Sequence, residues 1–364
     1  MLMILPVFFI IQSCSLGPVD ANDGLIWQKD LQYPPCAGTE IHSDNLYFAD
    51  ESGTIYSCWI DSGLIKWKRR LNNESVRMIF ITGSGLGVIS GQQGGAAKTS
   101  TFRIYNFERG ICVFITNLPW AIRDSYFSDG TNIIVHWPSG AAVLNGDGTK
   151  IDPYDLTQYA TNIVTFAAWE GYYYAIEGNS SIIKFDRSMH PVRTFDSFTG
   201  SGYSGDFAYD NGRIYISTTG GVKALDTVKW DPVDIDNGTD PVLFNGASAG
   251  LVKRQSGPED KYLLYSSMSF RIPPRGNSYS PLVQSGSLGI AAYIDPKGFI
   301  NVVDSRTGYF VYSKFIGMID RPFLKVSSDY LSKSVFIPLS SPAKIFCYSL
   351  KFAASQKMPG LPFK

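Results

Sequence analysis

Gly53-Thr-Ile-Tyr-Ser-Cys-Trp-Ile-Asp-Ser-Gly-Leu-Ile-Lys-Trp67 decides the fold, because its grammar returns near the other end as Gly298-Phe-Ile-Asn-Val-Val-Asp-Ser-Arg-Thr-Gly-Tyr-Phe-Val-Tyr312. Laid without gaps, Gly53 falls on Gly298, Trp59 on Asp304, Gly63 on Gly308 and Trp67 on Tyr312. Each copy reads as a strand, a tight turn closed by glycine, and a second strand ending on an aromatic ring. Glycine suits the turns because positive φ costs it little.

Further copies lie between these two. Ser100 to Phe114 keeps the spacing, with Asn106 in the position of Asp304, Gly110 in that of Gly308 and Phe114 in the aromatic position. Asn132-Ile-Ile-Val-His136, Tyr172-Tyr-Tyr-Ala-Ile176 and Gly212-Arg-Ile-Tyr-Ile-Ser217 read as inner strands, each followed by a hairpin partner that reaches Asn145, Asp186 or Asp226. Gly220-Gly-Val-Lys-Ala-Leu-Asp226 repeats the start of the unit, and Ser334 to Pro338 with Ala343 to Tyr348 make the last copy. The Asp position therefore recurs at Trp59, Asn106, Asn145, Asp186, Asp226, Asp304 and near Tyr348, about 40 residues apart with one double interval. The double interval holds a degenerate copy around Tyr262-Leu-Leu-Tyr-Ser266 and Ser269-Phe-Arg-Ile272.

Eight units of this length suit four-stranded blades, so the expectation is all-β: an eight-bladed β-propeller, with seven blades as the alternative. Each blade buries its faces only against its neighbours, so the ring has to close. Gly24-Leu-Ile-Trp27-Gln-Lys-Asp-Leu31 looks like the outer strand of a unit without its inner strands. It is expected to complete the last blade. Residues 24–364 then form a single propeller domain. Gly53, Gly220 and Gly298 sit at turns between inner strands, and Gly63, Gly110 and Gly308 close the next hairpin. Trp67, Phe114, Tyr312 and Phe352 read as rings packed between blades.

Composition agrees. The 364 residues include 35 Gly, 21 Tyr, 23 Phe and 7 Trp, and 32 Lys plus Arg cancel 32 Asp plus Glu. No basic face is expected, which argues against nucleic acid as a partner. The apolar run Met1 to Ser13, ending in Cys14, is shorter than the roughly 20 residues a membrane-spanning helix needs. It reads as a secretion signal over residues 1–14, although no Lys or Arg precedes Lys29. Ile11-Gln-Ser-Cys14 resembles a bacterial lipobox, with lipidation at Cys14 or simple cleavage nearby as the alternatives. Residues 15–23 then act as a tether. Cys36, Cys58, Cys112 and Cys347 permit one or two disulfides or remain buried thiols, and the pairing is open.

Constellations that carry chemistry are weak. Gly246-Ala-Ser248-Ala-Gly250 has the spacing of a nucleophile elbow, but no helix pattern follows and His42, His136 and His190 all precede it. Leu251-Val-Lys-Arg-Gln255 reads as leading into a polar loop. Gly83-Ser-Gly-Leu-Gly87 lacks the third glycine and the βαβ context of a dinucleotide site and reads as a turn. Asp234, Asp236 and Asp240 form a weak calcium candidate, with a solvated acidic turn as the plainer reading.

At the repeats a family resemblance becomes specific. The pattern Gly-x-apolar-x-apolar-apolar-Asp-x-x-Thr-Gly, complete at Gly298 to Gly308 and half complete at Gly220 to Asp226, resembles the quinoprotein-type, or PQQ-binding-like, β-propeller repeats. The resemblance implies one of two branches. In one, a quinone and a calcium ion lie in the propeller funnel of a periplasmic oxidoreductase. In the other the ring is a non-enzymatic binding platform, as in the propeller lipoprotein of the bacterial outer-membrane β-barrel assembly machine. The signal, the tether and the missing adjacent cysteine pair point to the second branch: a protein-binding scaffold of the cell envelope, monomeric on its own, without cofactor or catalytic residues. Contacts would come from blade loops, with Gly91 to Ser100, Gln255 to Asp260 and Pro273 to Tyr279 as candidates.

Overall fold

In the computed structural model, residues 25–92, 99–123, 126–128, 131–196, 198, 202–210, 212–218, 221–233, 251–256, 259–264, 268–271, 283–285, 290–294, 299–304, 310–315, 327–328, 334–339 and 343–349 are described. They form strands and turns. Strand β1 (Leu25–Asp30) precedes a first sheet of β2 (Glu40–His42), β3 (Asn45–Ala49), β4 (Thr54–Trp59) and β5 (Ile65–Arg70). The second sheet holds β6 (Glu74–Ile81), β7 (Leu86–Gln92), β8 (Ser100–Tyr105) and β9 (Cys112–Leu118). The third holds β10 (Tyr126–Ser128), β11 (Asn132–Trp137), β12 (Gly140–Asn145) and β13 (Ile151–Asp155). The fourth holds β14 (Ile163–Trp169), β15 (Tyr172–Glu177), β16 (Ile182–Phe185) and β17 (Pro191–Phe195).

The fifth sheet holds β18 (Tyr203–Asp210), β19 (Arg213–Thr218), β20 (Gly221–Asp226) and β21 (Asp231–Val233). A sixth has three strands, β22 (Leu251–Ser256), β23 (Glu259–Leu264) and β24 (Met268–Arg271). The seventh holds β25 (Val283–Ser285), β26 (Ile290–Ile294), β27 (Phe299–Asp304) and β28 (Phe310–Phe315). In the eighth, β29 (Ser327–Ser328), β30 (Ser334–Leu339) and β31 (Lys344–Ser349) are joined by β1, which lies antiparallel to β31 with Trp27 opposite Cys347.

The middle strands of the first four sheets read as near-continuous apolar runs because both of their faces are covered. All five residues of β3 are buried. Leu46 and Phe48 pack with Trp27, Ile345 and Cys347 of the eighth sheet, while Tyr47 and Ala49 pack with Ile79, Leu86 and Val88 of the second. Likewise Ile133 and Val135 face the second sheet, and Ile134 faces Phe166 and Tyr173 of the fourth. Tyr173 and Ala175 look back to the third sheet, and Tyr174 and Ile176 look forward to Ile214 and Leu225 of the fifth. The core is thus a series of apolar seams between successive sheets, and a strand's two-residue period assigns alternate side chains to alternate seams.

Three expectations change. Leu251 to Gln255 lies in strand β22, and Gln255↔Asp260 and Ser256↔Glu259 are paired across a hairpin, so the ends of the expected contact loop Gln255 to Asp260 are strand. Charged side chains do not disfavour pairing at the end of a strand when the backbone groups are matched. Gly91 and Gln92 likewise belong to β7. The disulfide option is corrected too: Cys36, Cys58, Cys112 and Cys347 are all thiols. Cys58 and Cys347 share the apolar seam between the first and eighth sheets, and burial raises the Cys58 thiol to about 12.

Candidate functional site

The Asp position of the repeat is a turn cap. Asn106 Oδ1 accepts the backbone N–H of Glu108 (2.9 Å) and Arg109 (3.1 Å). Asp186 Oδ1 accepts those of Ser188 (2.8 Å) and His190 (2.9 Å), and Asp226 Oδ1 those of Val228 (3.0 Å) and Lys229 (2.8 Å). The backbone N–H groups of His190 and Lys229, respectively, do most to hold the carboxyls of Asp186 and Asp226 below the usual carboxylate range. A side-chain oxygen that caps two amides stabilises the turn locally. Trp59 cannot do this; it is partly exposed, with Lys66 Nζ 4.8 Å above its ring. Asp304 ends β27 opposite Ile290, and Tyr312 lies on β28 opposite Val302. Gly53, at φ 79°, closes the turn between β3 and β4 under buried Asp50, whose carboxylate accepts from Ser52, Thr54 and Tyr56.

The glycine and aromatic positions meet across seams. Trp67 Nε1 donates to Phe107 O (2.8 Å), and its ring covers Gly110, where a Cβ would lie 2.6 Å away. Trp27 repeats this on the first sheet: Nε1 donates to Ile60 O (2.7 Å) and the ring covers Gly63, 2.8 Å from a Cβ there. Gly63 and Gly110 also have φ of 65° and 60°. Phe114 behaves differently, half-buried against Phe102 edge-on at 5.8 Å. In the fifth sheet the arrangement is reversed. Trp230 occupies the glycine position, four residues after Asp226, at φ 64°. Its N–H bonds Asp226 O as that of Gly110 bonds Asn106 O, and its indole reaches back to Thr194 O on β17 (3.1 Å). The sequence alone offered a hint, since Thr194 stands where the fourth unit should carry its ring.

Charged groups within and between the sheets are also engaged. The guanidinium of Arg103 on β8 holds Glu74 of β6 at 2.7 Å. Burial opposes ionisation of Glu74, but the bonds from Arg103 and Ser90 outweigh it and keep its carboxyl below the usual range. Tyr126 of β10 donates to Glu40 of β2, two sheets away. Burial, then the Glu40 charge, pushes the Tyr126 phenol well up. Arg77 donates to Ile122 O (3.2 Å) and Arg123 to Asn162 Oδ1 (3.1 Å). His136 is buried beside Phe166, and burial followed by the Arg123 charge brings its imidazole down to about 3. Among the described residues no three His, Cys, Asp or Glu side chains gather as a metal cluster would need. Gly83 to Gly85 lie in the turn between β6 and β7, Leu86 and Gly87 open β7, and Gly83 N–H bonds Gly146 O after β12 of the third sheet (2.7 Å). Cys14, the expected signal and tether of residues 1–23, Ser248, Gly220, Gly298, Gly308, Asp234, Asp236, Asp240 and the segment Pro273 to Tyr279 lie outside the described residues.

Exposed apolar side chains are the feature that sequence reasoning missed. Trp59, Leu64 and Ile65 crowd the β4–β5 hairpin, and Ile111 just before β9 is followed by Val113 and Ile115 on it. Lys66 and Glu108 join these two neighbourhoods through an ion pair of 2.8 Å.

No family model matches the sequence, and no curated protein matches it. Solved structures do. BamB from Moraxella catarrhalis superposes with a TM-score of 0.62 at 12% identity, over 90% of this chain and 97% of that one. The computationally designed Ika8 protein reaches 0.61 at 11% identity, over 88% and 98%. The WD40 domain of Neurospora crassa Pan2 reaches 0.54 at 11% identity, over 87% and 90%. At such identities the likeness shows the fold alone, and that fold is a β-propeller.

Proposed function

We propose that this β-propeller is an exported, lipid-anchored scaffold that holds other proteins together at the bacterial cell envelope, in outer-membrane protein assembly. In this reading residues 24–364 are one domain, the eight sheets are eight blades, and β1 closes the ring. The signal of residues 1–14 and the tether of 15–23 carry the domain from a lipid on Cys14. One observation carries the reading: buried and half-buried charged groups of the described sheets are spent on partners within a sheet, as Arg103 with Glu74, or across sheets, as Glu40 with Tyr126, while large apolar side chains stand exposed on the β4–β5 hairpin and on β9. Apolar surface of that kind serves contact with other proteins. The fold likeness to BamB supports it, as does the resemblance of the repeats to the non-enzymatic quinoprotein-type branch.

The test is affinity capture of the full chain from detergent-solubilised envelope, beside labelling with a lipid precursor in wild type and Cys14→Ser. The scaffold reading expects one stoichiometric protein partner and label that disappears with Cys14. Stoichiometric uptake of quinone in the presence of calcium, with dye reduction, would replace it by the oxidoreductase.

A further inference from the structure

The outer strand of a sheet leaves a row of backbone N–H and C=O groups open, and proteins guard such edges with charge or proline. Among the described outer strands, β1, β5, β13, β17, β21, β24 and β28 each carry Lys, Arg, Asp or Pro. Strand β9, Cys-Val-Phe-Ile-Thr-Asn-Leu, carries none. Its Phe114 and Leu118 pack inward on the second and third sheets. Ile111, Val113 and Ile115 alternate with them and are 51%, 57% and 60% exposed. The strand is therefore apolar on its solvent side as well as open at its edge.

Charge marks one end of it. Arg69 of β5 donates to Gly110 O and Arg109 O, both at 2.7 Å, and so sits at the head of β9 beside exposed Arg109. The nearby Glu108 is taken by Lys66, and neither Arg69 nor Arg109 has a carboxylate partner among the described residues. A strand added antiparallel would bring its C-terminal end to this pair of cations.

We propose that the open edge of β9 binds an extended segment of a partner protein by strand addition. The segment lies antiparallel, sets alternate apolar side chains beside Val113 and Ile115, and ends in a carboxylate beside Arg69 and Arg109. Main-chain hydrogen bonds supply affinity in this mode and alternate side chains supply selectivity. The inference rests on the scaffold reading and names the chemistry of its partner.

Cys112 on the same strand is an exposed thiol and gives a native reporter. The probe is a short synthetic peptide alternating valine and threonine and ending in a pair of aspartates. Alkylation of Cys112 in the full chain, followed by mass spectrometry, is expected to slow saturably as the peptide is added. Val113→Lys with Ile115→Lys should weaken binding about tenfold or more, because an added strand would have to bury two ammonium groups. Val113→Thr with Ile115→Thr, which keeps strand propensity, should weaken it less and guards against a misfolded variant. Exchanging the aspartates for lysines should cost about fivefold or more and be most severe at low salt. Absence of protection at about millimolar peptide overturns the proposal. So does protection by the protein's own concentration, which makes the occupant a second copy, or protection by anionic phospholipid vesicles without peptide. Failure of envelope capture with intact peptide binding would sink the scaffold reading alone, and the converse result would sink only this site.

Discussion

His136 shows how burial rather than neighbours in sequence sets a residue's chemistry. Its imidazole is held neutral because burial and the Arg123 charge both penalise the cation, bringing it to about 3. The folded form then binds one proton fewer than the unfolded chain between the ordinary histidine range near pH 6.5 and pH about 3. Stability should be unaffected by this group above that window and fall by roughly 1.4 kcal/mol per pH unit as pH drops through it. Urea unfolding of wild type and His136→Gln from pH 7 to 4 checks this. A slope equal in the two proteins would refute the assignment. In the sequence His136 is one of three dispersed histidines, and nothing local says that two sheets close over it.

At the scale of elements, the hairpins carry a docking rule that one of them inverts. Trp27 and Trp67 project from an outer strand onto a glycine turn of the neighbouring sheet, where both positive φ and the ring exclude a side chain. Trp230 projects from the turn itself, accepting a positive φ that bulky residues avoid, and fills the same kind of seam with Phe195, Tyr174 and Arg193 around it. Restoring the repeat by Trp230→Gly would relieve the backbone but empty the seam. The cavity term should win, with a net loss of about 2–4 kcal/mol in chemical denaturation. A stabilised variant would mean that backbone strain dominates. The glycine positions were legible because a turn needs them locally, whereas the reversal was not, because ring and carbonyl belong to different sheets. The apolar edge of β9 was hidden for a similar reason: Phe114 and Val113 look alike in sequence until one of them is covered.

For the whole molecule, β1 ties residues near one end of the chain to β31 near the other. Its main-chain bonds continue the eighth sheet, and Trp27 reaches over to Gly63 and Ile60 of the first. Removing residues 1–30 should cost about 3–5 kcal/mol from the loss of the buried indole alone. It should also expose the edge of β31 and raise aggregation, seen in light scattering on heating. A truncated chain that melts and scatters like the full one would show that β1 adds little.

The sequence by itself determined the repeat, its spacing, the recurring positions Asn106, Asp186 and Asp226, and the middle strands, because each of these is dictated by contacts within one hairpin. Even β1 could be recognised as a strand without companions. Only the tertiary structure decided which seam each alternate side chain enters, that Leu251 to Ser256 pairs as a strand, that the four cysteines are thiols, and that Trp230 docks backwards. Those outcomes depend on partners about 40 or more residues away, and a local period specifies that a face must be buried without specifying what will bury it.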